Sequence, residues 1–145
     1  MDSYDIQILN ILQENGKISV AELARIIELS PTATKERIKK LESEGIIKGY
    51  SAVIDYEKVG FSLISFITVP VGDMTIKEME NHLTGLNEIM ECHKVTGGTC
   101  FLVKAITKDT QHLERLIDNI NNYAKNTYTY IVLSTYKDNR NIKLD

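Results

Sequence analysis

Three observations predict an α+β chain in two parts. Residues 1–50 hold three short amphipathic segments, with capping signals where the second and third begin. Residues 62–145 alternate strand-like and helix-like runs in the order βαββαβ. Between them, 51–61 has weak periodicity and reads as a linker with some extended character. The expected architecture is an N-terminal helix-turn-helix domain followed by a C-terminal ferredoxin-like βαββαβ sandwich domain.

The first segment starts near Asp5. Ile8, Leu9, Ile11 and Leu12 fall on one helical stripe, and Asn15-Gly16 closes it. Ser19-Val-Ala-Glu22 has the spacing of a capping box, in which a hydroxyl and a carboxylate satisfy the first free amides of a helix reciprocally. Leu23, Ala24 and Ile27 then mark the buried side of a second, short helix. The third begins with Ser30 as N-cap and Pro31 at the first helical position, where no amide hydrogen is needed. Thr34, Ile38 and Leu41 give its inner side, and Gly45 is suited to the left-handed conformation that ends a helix.

Two helices joined by so tight a turn, braced by a third, describe a helix-turn-helix. In that arrangement the second helix of the pair enters the DNA major groove with its N-terminal half foremost. The stretch 31–40 fits, because it carries Lys35, Arg37, Lys39 and Lys40 against Glu36 alone. A merely solvated helix face is the common alternative for such a charge run. The tight turn, the upstream box and the Ser-Pro start together favour the DNA reading. Ser30, Thr32, Ala33, Lys35, Glu36, Arg37, Lys39 and Lys40 are the candidate contacts: small residues near the tip allow close approach, and the cations reach phosphates.

The chain's formal charge of −3 argues against a nonspecific polycation, and residues 1–50 carry about −1. Any nucleic-acid contact therefore depends on where the cations lie. The apolar run LISFITVPV is too short to span a bilayer, and no charged-then-apolar leader precedes it. Cys92 and Cys100, the only cysteines, do not make a disulfide framework and suit a reducing compartment. A cytoplasmic protein with no membrane partner is expected.

In the second part, SLISFITVPV reads as a strand ended by Pro70, and Thr75-Ile-Lys-Glu78 as another capping box. Ile76, Met79 and Leu83 give a helical stripe that Gly85 stops. IMECHKVTGGTCFLVKAI reads as two strands around Gly97-Gly98. From Thr110 the spacing Leu113, Leu116, Ile117, Ile120 is the clearest amphipathic helix in the chain, and TYTYIVLSTY closes as a strand rich in β-branched and aromatic residues. The strands are apolar on both alternating sets. Two helices hide one sheet face, and no segment remains to hide the other, so a homodimer through that face is expected.

No cofactor, metal or catalytic set emerges. Cys92, His93, Cys100 and His82 match no closed zinc spacing, and Cys92 and His93 alternate across a strand. Gly97-Gly98 lacks the helix that a phosphate loop requires, and no nucleophile stands beside a base in a recognisable motif.

The two parts together resemble the Lrp/AsnC, or feast/famine, family of transcription regulators. The resemblance rests on Asp5-Ile-Gln-Ile-Leu, Leu23-Ala24, Leu29-Ser30-Pro31, Arg37-Ile38 and Leu41-Glu42. It continues through Gly45-Ile-Ile-Lys-Gly-Tyr50, Asp55, Gly60 and Val95-Thr96-Gly97, and so runs over nearly the whole chain. It implies a DNA-binding regulator that dimerises through its αβ domain, assembles further to a tetramer or octamer, and in many members answers to an amino acid bound between dimers. By matched position Arg37 would contact backbone phosphate; a salt bridge to Glu42 or Glu44 is the alternative. The effector site would take in Thr96, Gly97, Gly98, Thr99, Cys100 and Ser134. Here Gly97-Gly98-Thr99-Cys100 replaces the usual Gly-Asp-Tyr-Asp, so both carboxylates are missing: either the ligand differs, or there is none. Two other readings follow from resemblance, an architectural DNA-wrapping protein without effector and an enzyme like the sirohaem decarboxylases. The cationic third helix argues against the enzyme.

Overall fold

The computed structural model describes residues 1–98, 100–138 and 141–145. The chain forms two compact units, Met1–Val53 with Lys137–Asp145, and Ile54–Tyr136.

The first unit is built from α1 (Ser3–Glu14), α2 (Val20–Ile26) and α3 (Pro31–Ser43). Helix α1 begins earlier than its apolar stripe because Asp2 and Asp5 form a reciprocal capping box, each carboxylate accepting the other's amide at 3.0 Å. At α2 only half of the expected box forms, with the Ser19 hydroxyl accepting the Glu22 amide at 3.1 Å. Ser30 caps α3 by accepting from the Ala33 amide at 3.2 Å. Gly45, at φ +70°, ends α3: its amide reaches Glu42 O and the next amide reaches Leu41 O, the paired bonds of a Schellman motif. The α2–α3 turn has the same 6→1 closure, from the Leu29 amide to Ala24 O. There the left-handed residue is Glu28, at φ +57°, so no glycine marks it in the sequence. Ile8, Leu9, Leu23, Ile27 and Leu41 form the core.

The last residues, Lys137–Asp145, group with the first unit. Leu144 packs against that unit's core, and side-chain amides of α1 bond the segment's backbone. Contacts 134 residues apart leave no local signal.

The second unit runs β1 (Leu63–Val69), α4 (Ile76–Thr84), β2 (Ile89–Lys94), β3 (Phe101–Thr107), α5 (Thr110–Asn121) and β4 (Tyr128–Ile131). Its sheet has the order β2-β3-β1-β4 with every neighbouring pair antiparallel, the ferredoxin-like topology. The expected box at α4 is complete, with Thr75 and Glu78 each bonding the other's amide. Ile67, Val69, Val103 and Ala105 point to one face and pack with Met79 and Leu83 of α4 and Leu113, Leu116 and Ile120 of α5. The opposite face presents Ile64, Phe66 and Leu102, partly buried, and Tyr128 and Tyr130, each about 60% exposed.

Strand β4 is shorter than the run that announced it. It pairs with β1 from Thr68 back to Ser65, and one more bond joins the Val132 amide to Ile64 O. Beyond that point β1 is nearly exhausted, and LSTY continues without a partner strand. A bulge at Met90 resets β2 against β3, placing Cys92 opposite Val103 on the inner face and His93 opposite Leu102 on the outer one. Truncating Leu83, which is fully buried between α4 and the sheet, creates a cavity. Leu83→Ala is expected to cost about 2–5 kcal/mol in the unfolding of the αβ unit, measured by urea titration.

Candidate nucleic-acid interface

Helix α3 divides cleanly. Thr34 and Leu41 are buried, and the Thr34 hydroxyl is spent inside the helix, donating to Ser30 O at 3.0 Å. Ser30, Thr32, Lys35, Glu36, Lys39 and Lys40 are exposed and Ala33 is half-buried, so the predicted contact residues share the outer side and the N-terminal tip. Lys39 lies 3.5 Å from Glu36, and Lys40 lies 3.9 Å from Glu44. All four side chains are about half exposed or more, so these pairs are weak and yield easily to a phosphate.

Arg37 stands apart. One of its terminal nitrogens, Nη1, donates to Asp2 Oδ2 at 2.7 Å and to Asp5 Oδ1 at 2.8 Å, and its guanidinium sits 5.3 Å from the centre of the Tyr4 ring. The alternative partners Glu42 and Glu44 are engaged elsewhere: Glu42 accepts from the Tyr50 hydroxyl at 3.0 Å, and Glu44 faces Lys40. The cluster joins the start of α1 to the middle of α3. Asp2 is held below the usual carboxylate range, first by the Asp5 amide and then by Arg37. Burial pushes Asp5 up, but the Asp2 amide and Arg37 outweigh it and its pKa also falls. The two carboxylates in turn raise Arg37. Sequence reasoning missed this triad because Arg37 and Asp2 are 35 positions apart; the Asp-x-x-Asp spacing at residues 2–5 was its one available signal.

The effector residues are only partly brought together. Thr96, Gly97, Gly98 and Cys100 line an open recess with Pro70, Val71 and Val95. Thr99 lies outside the described residues. Ser134 is exposed in the irregular segment after β4 and does not line this recess. Between Lys94 and Phe101 the loop is closed by the Val95 amide on Cys100 O at 3.0 Å, and Gly97, at φ +114°, makes a bend that a side chain would strain. Apolar Pro70, Val71 and Val95 share the lining with polar surface in similar measure, and no described lining residue is a carboxylate.

Residues 64–142 match the model of the Lrp/AsnC ligand binding domain, and residues 1–48 match a winged helix-turn-helix DNA-binding model. The chain belongs to the Lrp/AsnC family of transcription regulators. Over 140 residues it is 36% identical to the HTH-type transcriptional regulator FL11 of Pyrococcus horikoshii, covering 95% of this chain and 93% of that one. It is 33% identical to the regulator LrpB of Bacillus subtilis, covering 99% and 96%. Among solved structures, LrpC of B. subtilis superposes with a TM-score of 0.90 at 28% identity, covering 94% of this chain and 97% of that one. The regulator NMB0573 of Neisseria meningitidis, in complex with L-methionine, gives 0.91 at 28%, covering 98% and 96%. As an Lrp/AsnC member the chain is a DNA-binding regulator and not an enzyme, and none of its described helices is long and apolar enough to cross a membrane.

Because both aspartates titrate below their unfolded values, their contribution to stability is fully present above about pH 4 and is lost as the pH falls toward the folded values. Acid unfolding of the first unit followed by circular dichroism should begin below that point, and Asp5→Asn should flatten the profile. Arg37→Ala should lower that unit's melting midpoint, whereas Lys35→Ala should change its stability by no more than about 0.5 kcal/mol.

Proposed function

We propose that α3 is the recognition helix of this regulator. It enters the major groove of double-stranded DNA with Ser30, Thr32 and Ala33 at the tip and Lys35 and Glu36 toward base edges. Lys39 and Lys40 neutralise phosphates. The observation that carries this reading is the division of α3, whose outer side holds every one of these groups while Thr34 and Leu41 are buried behind it. Arg37 serves chiefly as the anchor between α1 and α3, since both carboxylates of its cluster hold it within the protein.

The working species is a homodimer formed through the uncovered sheet face. Ile64, Phe66 and Leu102 surround Lys104, whose ammonium lies 3.5 Å from Glu91, so the face is apolar with one compensated charge pair near its centre. A second copy would bury this surface, and further assembly to a tetramer or octamer would multiply the DNA-binding modules. Two helices held one turn apart, about 34 Å, bind far better than one through effective concentration alone. Phe66→Asp should convert the dimer to monomer in sedimentation equilibrium at micromolar protein.

The recess at Thr96, Gly97, Gly98 and Cys100 is the proposed effector site, supported by the L-methionine complexes of the N. meningitidis regulator and of the Mycobacterium tuberculosis feast or famine protein. Without carboxylates, the recess would recognise a small amino acid through loop amides and apolar contact. A thermal-shift screen of the common amino acids, with light scattering on each hit, tests it; no hit leaves a regulator without effector.

The interface itself is tested by salt titration of DNA binding. Lys39→Ala and Lys40→Ala should each reduce the log–log salt slope by about 0.9 for a lost phosphate contact, while Arg37→Ala should leave the slope nearly unchanged. Unaltered slopes in both lysine variants would remove α3 from the interface. Competition with bulk DNA should give a specificity ratio of roughly 10³ or more; a ratio near one would mark an architectural wrapping protein instead.

A further inference from the structure

Helix α1 carries a second recognition surface, unrelated to the cations of α3. Asn10 and Gln13 lie one turn apart, and each makes a two-way bond with extended backbone. Asn10 Nδ2 donates to Leu144 O at 3.1 Å, while Asn10 Oδ1 accepts from the Leu144 amide at 3.0 Å. Gln13 Nε2 donates to Ile142 O at 3.0 Å, and Gln13 Oε1 accepts from the Ile142 amide at 3.0 Å. Each side-chain amide thus does what the edge of a neighbouring strand would do, and the pair reads alternate residues of the segment. Three helical residues advance about 4.5 Å, whereas two extended residues advance about 6.7 Å. The longer arm of glutamine can span the difference. Leu144 packs against the core of this unit and, with Leu9, Leu12, Ile46, Ile47 and Tyr50, lines an apolar groove between α1 and the segment after α3.

We propose that this groove is a docking site for the chain's own C-terminal segment, and that its occupation gives the DNA-binding unit a second tether. The chain leaves the first unit at Val53 and re-enters it at Lys137, so a seated tail attaches that unit through two connections. Both two-way bonds are to backbone and Leu144 adds an apolar contact, so these contacts carry no net charge. Docking is therefore insensitive to salt over the range that weakens phosphate contacts. The consequence for DNA rests on the recognition-helix reading above. A doubly attached module explores fewer orientations, which raises its effective concentration at a second half-site and leaves its affinity for one half-site unchanged.

The test uses the full chain with Asn10 and Gln13 both changed to Ala, substitutions of partly exposed residues that leave the groove's apolar lining intact. In the wild type, the Ile142 and Leu144 amides should be protected from hydrogen exchange, equally at low and high salt and independently of protein concentration. In the double variant they should exchange roughly tenfold faster or more, with amides inside α1 unaffected. Tail amides that exchange at free-peptide rates in the wild type would overturn the docking. Protection that grows with protein concentration would assign the groove to a neighbouring copy's tail and overturn the intrachain tether. Where docking is upheld, the double variant should bind a two-half-site duplex roughly tenfold more weakly and a single half-site equally well. Equal loss on both duplexes, or no loss on either, would refute the tether. A wild type that binds neither duplex would instead refute the recognition helix, while exchange still decides the docking.

Discussion

Helix α3 is held in place by more than apolar burial. Its inner stripe is thin, with Thr34 and Leu41 the only fully buried residues. The ion cluster of Arg37 with Asp2 and Asp5 supplies what the stripe lacks, fixing the middle of α3 to the capped start of α1 at 2.7 and 2.8 Å. The same carboxylates that bind the guanidinium also cap α1, so helix nucleation and helix docking are one event at this corner. With the arginine committed inward, the proposed phosphate contacts fall to lysines, whose flexible stems need no fixed geometry.

The αβ unit solves a different problem. Its sheet is covered on one side by α4 and α5, and hydrophobic burial there is ample. Its other side mixes half-buried Ile64, Phe66 and Leu102 with exposed tyrosines on β4. A face of that composition is too apolar to remain in water comfortably and too polar to be a core, which is the character of a surface that meets a copy of itself. The loop between β2 and β3 lies at the end of the same sheet. In it Gly97 and Gly98 exchange side-chain chemistry for backbone amides and open space. In the proposed assembly, ligand response and DNA affinity would be linked through one sheet, since anything that changes how copies meet would change how many recognition helices reach the duplex together.

Local signals carried most of the architecture. Ser30-Pro31, Gly45 and the Thr75–Glu78 box located helix ends because caps act within four residues, and short apolar runs bounded by Pro70 and Gly97-Gly98 located β1 and β3. The position of the cations on the outer side of α3 was legible for the same reason, as helical spacing fixes which residues share a side. The α1 start was misjudged because its capping box uses Asp2 and Asp5, ahead of the apolar stripe. The α2–α3 turn was expected, but its left-handed residue was not marked, because Glu28 takes the conformation that glycine usually announces.

By itself the sequence determined the helix-turn-helix, the βαββαβ order, the apolar character of both sheet faces and the family pattern, all of which are written in short-range spacing. Tertiary structure alone decided that Arg37 turns inward to Asp2 and Asp5, that β4 stops where β1 no longer offers backbone, and that the last residues return to α1. Each of these is a pairing between groups far apart in the chain. Such a pairing leaves no periodicity in the sequence and exists only once folding has brought the partners within hydrogen-bond reach.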